Sequence, residues 1–101
     1  MRKNFKLTDP KKAPARQVEY VKHEISKYLA RERRKTPQKG ADYWDFDCQL
    51  GIDKESAEVI HVAEINKGID RIVDQGSENF YIEILAKPGY RAKKPEKNEM
   101  N

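Results

Sequence analysis

The chain has 101 residues, 38% of them charged and 37% hydrophobic, with a formal net charge of +4. This length allows one domain with a small core, which we predict over residues 1–90, and it excludes several domains. A single cysteine excludes an internal disulfide, and the lack of a run of ~20 apolar residues excludes a membrane helix, so we expect a cytoplasmic protein without a membrane partner.

The first half of the chain predicts a short strand and a long helix. The alternation of Phe5-Lys6-Leu7 is typical of a strand. Helix is predicted from Ala15 to Lys35, where apolar residues recur at helical spacing, and Thr36-Pro37 ends it. This apolar stripe consists of Val18, Val21, Ile25, Tyr28 and Leu29.

The second half predicts three strands and a second helix. Tyr43 to Leu50 alternates in polarity, with Cys48 on the apolar side, and Glu58 to Val62 is rich in β-branched residues. A second amphipathic helix begins near Ile65 and is closed by Gly76. Phe80 to Ala86 alternates again, and the following Pro88-Gly89 is expected to stop that strand.

The predicted order is β-α-β-β-α-β. This order is typical of the ferredoxin-like split βαβ arrangement, an α+β fold with a four-stranded antiparallel sheet and both helices on one face. The first strand is the weakest element, and without it an α+β domain with a three-stranded sheet remains. Residues 91–101 are polar and charged and are predicted to form a disordered basic tail.

The charges are sorted along the chain. Residues 1–40 carry thirteen Lys or Arg and four Asp or Glu, a net charge of +9, whereas residues 41–85 carry three and eleven, a net charge of −8. On the first predicted helix, the side chains opposite the apolar stripe recur every three or four residues and so share one face. They are Arg16, Tyr20, His23, Lys27, Arg31 and Arg34, and Arg33, Lys35 and Lys39 extend the group around and past the helix end.

This basic face predicts contact with a polyanion. A row of cations about 30 Å long can neutralise several phosphates, and Tyr20 can stack on a base. The alternative is an ordinary solvated helix face, because helices need polar exteriors and Lys and Arg are good helix formers.

A second group of polar residues is a candidate metal site. Strand parity places Asp45 and Asp47 on the solvent side of the second strand, His61 with Val59 on the third, and Glu83 on the last. Oxygen ligands on adjacent strands suit Mg²⁺ or Mn²⁺. The alternative is an acidic solvent face, since the sequence does not fix which strands pair.

Three stretches of the chain carry a resemblance to a known family. They are Tyr43-Trp44-Asp45-Phe46-Asp47-Cys48, Ile60-His61-Val62-Ala63-Glu64-Ile65-Asn66, and Phe80 to Gly89. Over residues 1–91 the chain resembles a family of small bacterial cytoplasmic proteins of unknown function. The resemblance implies one compact bacterial domain and supplies no activity, ligand or catalytic residue.

Three functional hypotheses follow, and none requires an organic cofactor. The leading one is a non-enzymatic domain that contacts a polyanion through the first helix, and RNA is the polyanion that we favour. The second is a protein-interaction module, in which the +9 segment of one copy meets the −8 segment of another copy or of an acidic protein partner. The third is a metal-dependent phosphoryl-transfer enzyme that uses Asp45 and Asp47.

Overall fold

The computed structural model of the protein describes residues 1–91, which form four strands and two helices. In chain order these are β1 (Arg2–Lys6), α1 (Pro14–Arg33), β2 (Tyr43–Gly51), β3 (Glu58–Ile60), α2 (Ile65–Asp74) and β4 (Asn79–Gly89), with one turn of 3-10 helix, Val62–Glu64, before α2. The predicted β-α-β-β-α-β order and α+β class are confirmed. All of the predicted basic tail after Arg91 lies outside the described residues.

The four strands form one antiparallel sheet in the order β1-β4-β2-β3. β4 pairs with both β1 and β2, so β1 runs parallel to β2 with β4 between them. In the same way, β2 separates the parallel strands β3 and β4. Each helix therefore links two parallel strands between which a third strand lies, and this is the split βαβ arrangement.

Both helices pack on one face of this sheet and share a single apolar core. The side chains of β2 and β4 alternate between this core and the opposite, open face, as the strand period of two requires. Phe5 anchors the edge strand β1, because its ring stacks on that of its cross-strand partner Phe80 with centroids 5.5 Å apart. The most deeply buried side chains are Val21, Ile25, Ile69, Phe80, Ile82 and Ile84.

The long helix α1 turns its predicted apolar stripe to this core. Val21, Ile25 and Leu29 are buried, and the other two members of the stripe are partly buried. Pro14 occupies the first helical turn, where its missing N–H is not needed. Over residues 1–91, neither helix combines the length and the apolar character needed to cross a bilayer.

Two boundaries differ from the sequence prediction around the short strands. β1 begins at Arg2 instead of Phe5, because backbone pairing with β4 continues past the apolar alternation. β3 ends at Ile60, two residues before the predicted limit. His61 is therefore not a strand residue, and its Nδ1 accepts a hydrogen bond from the Ala63 N–H (3.0 Å), capping the 3-10 turn.

The sequence predicts that Pro88 stops the last strand, and this prediction is wrong. β4 continues to Gly89, and Pro88 pairs with Trp44 of β2. The Met1 carbonyl accepts from the Ile84 N–H, so the same edge of β4 faces β1 at Ile84 and is unpaired at Pro88, beyond the end of β1. A proline fits there because the N–H that it lacks would point away from β2.

Candidate nucleic-acid interface

The outer face of α1 carries a continuous row of basic and aromatic side chains, here called the basic ridge. It consists of Arg16, Tyr20, His23, Lys27, Arg31 and Arg34, and all six are exposed. At 3.6 residues per turn they fall within an arc of about 80°, directly opposite the buried stripe, over a length of ~27 Å. The predicted face is therefore a real surface of the folded chain.

Carboxylates of the same chain leave most of this ridge uncompensated. Lys27 Nζ lies 3.5 Å from Glu24 Oε2, its neighbour one turn away. Within residues 1–91, no carboxylate forms an ion pair with any other basic member of the ridge. The unpaired guanidinium groups of Arg16, Arg31 and Arg34 can therefore attract phosphates at both ends of the ridge.

The three further basic residues at the C-terminal end of α1 are also exposed, but two are engaged. The Arg33 guanidinium lies over the ring of Phe46, 5.4 Å from its centroid. Lys35 Nζ is 2.9 Å from Glu32, and the Lys35 carbonyl accepts from the Trp44 indole N–H at 3.0 Å. These contacts hold the helix end against β2, whereas Lys39 makes no ion pair within the described chain.

Tyr20 sits in a shallow depression on the ridge and has one covered face. Lys12 Nζ lies 4.0 Å from the centroid of its ring, and 48% of the residue is exposed. The depression is lined by Lys12, Arg16, Glu19, Tyr20 and His23. Lys12 therefore adds a cation to the ridge that the sequence prediction missed, because it precedes the helix and helical spacing cannot locate it.

The candidate metal ligands are not brought together. Asp45, Asp47 and Glu83 lie on the open face of the sheet, as strand parity predicted, but His61 caps the turn beyond β3. In residues 1–91 no three acidic, His or Cys side chains are grouped to hold a metal ion.

Two of the three carboxylates of the open face form ion pairs with side chains of neighbouring strands. Asp47 pairs with Lys87 at 2.6 Å, and this hydrogen bond raises the pKa of the Lys87 ammonium. Glu83 pairs with Arg2 at 3.2 Å and accepts a hydrogen bond from the Tyr81 hydroxyl at 3.0 Å. The arrangement supports a self-compensated sheet surface better than a cation site.

Comparisons with known proteins bear on identity but not on activity. A sequence profile described as a family of unknown function (DUF6172) matches residues 1–95. No curated protein matches the chain significantly, and no solved structure does. Any activity must therefore be argued from the surfaces described above.

Proposed function

The chain belongs to this family of unknown function, and from that premise we propose that it is a non-enzymatic domain that binds RNA through the basic ridge of α1. The observation that carries the proposal is the exposure of every ridge residue on one face of one helix, with a single ion pair among the described residues. Arg16, Lys27, Arg31 and Arg34 would pair with phosphates.

The charge distribution over the rest of the molecule favours the approach of RNA from the side of α1. The open face of the sheet lies on the side away from the helices and carries Asp45, Asp47 and Glu83. Arg2 and Lys87 compensate two of these carboxylates, so this face carries little net charge to attract phosphate. The ridge does attract phosphate, and a polyanion is therefore steered toward α1. Cytoplasmic RNA is the partner we propose, since the free thiol of Cys48 suits a reducing compartment and the resemblance is to bacterial proteins.

The test is a charge reversal on the ridge with a matched control. Arg31→Glu with Arg34→Glu changes the net charge as much as Lys54→Glu with Lys67→Glu, a pair outside the ridge. We expect the ridge variant to weaken RNA binding sharply and to lower the slope of log K against log salt by about two, one per lost phosphate contact. The control should retain the native slope.

Two outcomes would count against RNA binding by the ridge. Equal weakening in both double variants would mean that net charge alone is responsible. Unchanged binding in the ridge variant would place the contact elsewhere. Circular dichroism must accompany both measurements, because glutamates in the last turn of α1 oppose the helix dipole.

A protein-interaction module is the second candidate, favoured by the charge separation between residues 1–40 and 41–85. Opposite net charges of +9 and −8 within one chain allow a head-to-tail contact between copies or a contact with an acidic partner. Sedimentation of nucleic-acid-free protein at low and high salt tests it. A dimer that dissociates with salt, in a protein without RNA affinity, would favour this candidate over the first.

A further inference from the structure

We propose that the basic ridge takes double-helical nucleic acid, held by its phosphate backbones, and not a single strand held by stacked bases. This inference rests on the RNA-binding function proposed above and names the form of the ligand. It follows from where the aromatic side chains lie and from the shape of the ridge.

Proteins that bind single strands generally combine a charged groove with several aromatic rings on which successive bases stack. The chain has nine aromatic residues, all within the described 1–91. The three phenylalanines are buried in the core. The Tyr28 hydroxyl accepts from the Met1 ammonium, and the Trp44 indole donates to the Lys35 carbonyl, so these half-buried rings are also engaged.

The two tyrosines on the open face of the sheet do not form a shared stacking surface. Tyr81 is 5% exposed, and its hydroxyl donates to Glu83. The ring of Tyr43 lies on the backbone of Gly89, its cross-strand partner. The two rings lie at opposite ends of the β2–β4 pair, so the sheet does not form the base-binding platform of RNA-recognition domains.

Within the described residues three rings keep a substantial exposed surface, Tyr20 (48%), Tyr43 (41%) and Tyr90 (61%). Tyr43 and Tyr90 adjoin each other at the end of the β2–β4 pair and not on the ridge. The ridge itself carries only Tyr20, one face of which is covered by Lys12, so it has no row of rings for successive bases. The ridge itself therefore offers charge without a stacking platform.

The shape of the ridge suits a double helix. It is the convex outer face of a single helix, with Glu19 and Glu24 just outside its ~80° arc and further exposed cations at the two ends of the helix. A duplex presents rows of phosphates along the edges of its grooves, and cations on long side chains can reach them while the bases stay paired. No base has to unstack.

The experiment uses the full chain, freed of nucleic acid at high salt, and fluorescence anisotropy at several salt concentrations. The probes are a single-stranded RNA of about 20 nucleotides, the same RNA paired with its complement, and the matched DNA duplex. We expect the RNA duplex to bind about tenfold more tightly than the single strand at equal salt. Tyr20→Leu should weaken the duplex and the single strand by the same factor of about two, because the ring contacts Lys12 and stacks on no base in either complex.

The outcomes separate this inference from the function on which it rests. Equal or tighter binding of the single strand, or a loss of about tenfold in Tyr20→Leu, would overturn the duplex inference and leave RNA binding standing. Failure of both RNA forms to bind would overturn both. Equal binding of the DNA duplex would uphold the duplex inference and overturn the restriction to RNA.

Discussion

The ring of Tyr43 covers the backbone of Gly89 directly across the strand pair β2–β4. A Cβ atom at position 89 would lie within 2.7 Å of three atoms of this ring, and the Tyr43 hydroxyl also donates to the Tyr90 carbonyl at 3.3 Å. An aromatic side chain over a cross-strand glycine shields backbone that would otherwise face water. The pair thus holds the last residues of β4 against β2.

Gly89→Ala should destabilise the protein through a clash with this ring. We expect a loss of about 1 kcal/mol in the free energy of unfolding, at the low end for overpacking because the 41% exposed Tyr43 can turn toward solvent. Urea denaturation measures it. In a Tyr43→Ala background the same substitution should cost less, and equal costs in both backgrounds would show that the two residues are not coupled.

Gly51→Ala should be more harmful than Gly68→Ala, although both glycines are tightly packed. A Cβ at position 51 would meet backbone atoms, Cα of Ala57 at 2.6 Å and the Ala57 N at 2.8 Å, whereas at position 68 it meets the ends of two side chains. Backbone atoms cannot turn away as a side chain can. We therefore expect the free energy of unfolding to fall by about 2–3 kcal/mol in Gly51→Ala and by about 1 kcal/mol or less in Gly68→Ala. The reverse ranking in urea denaturation would contradict the packing described here.

The thiol of Cys48 should be unreactive in the folded protein. Burial raises its pKa to about 11, aided by Asp47 and Asp45, and the residue is 2% exposed. Because the folded-state pKa is raised, the stability linked to this group is fully present below its unfolded pKa of about 8.5 and is lost as the pH rises toward the folded value. Alkylation by iodoacetamide near pH 8 should be slow, and urea should accelerate it. Fast alkylation without urea would contradict this burial.

Asp53 should titrate below the ordinary range of an aspartate. The Ser56 hydroxyl donates to its Oδ1 at 2.8 Å, and the Ser56 N–H does so at the same distance, which lowers the pKa of the carboxyl group. A lowered folded-state pKa contributes stability above the unfolded value of about 3.9, and this is lost as the pH falls through the folded value. NMR titration of Ser56→Ala should show the pKa rising toward 3.9, whereas Ser77→Ala should leave it in place.

The order of the elements and the exposed face of α1 follow from local patterns, and the sequence predicted both. Helical spacing alone places Arg16 and Arg34 on the side opposite Ile25, whatever the sheet does. The partners of the open-face carboxylates are different. Arg2 reaches Glu83 only because β1 pairs with β4 in one register, and Lys87 reaches Asp47 only because β4 pairs with β2. No local period contains that information.

The misplaced boundaries have the same cause. Pro88 was predicted to end β4 because a proline interrupts a strand that pairs on both sides. Whether a strand pairs on both sides depends on where its neighbour ends, and β1 leaves Pro88 on an open edge. Composition assigns His61 to a strand, whereas its ring accepts a hydrogen bond from the Ala63 N–H and its carbonyl accepts one from the Glu64 N–H, so the residue caps the next turn.

Pro88 has a further effect on how the protein behaves at high concentration. An unpaired strand edge is a template on which a foreign chain can add, and such growth is the first step toward fibrils. The residues of β4 beyond the end of β1 have no strand beside them on that edge. Pro88 removes one N–H donor from this exposed edge. The strand at the opposite edge of the sheet, β3, has only three residues. Neither this strand nor the exposed end of β4 therefore offers a long template for a cross-β strand.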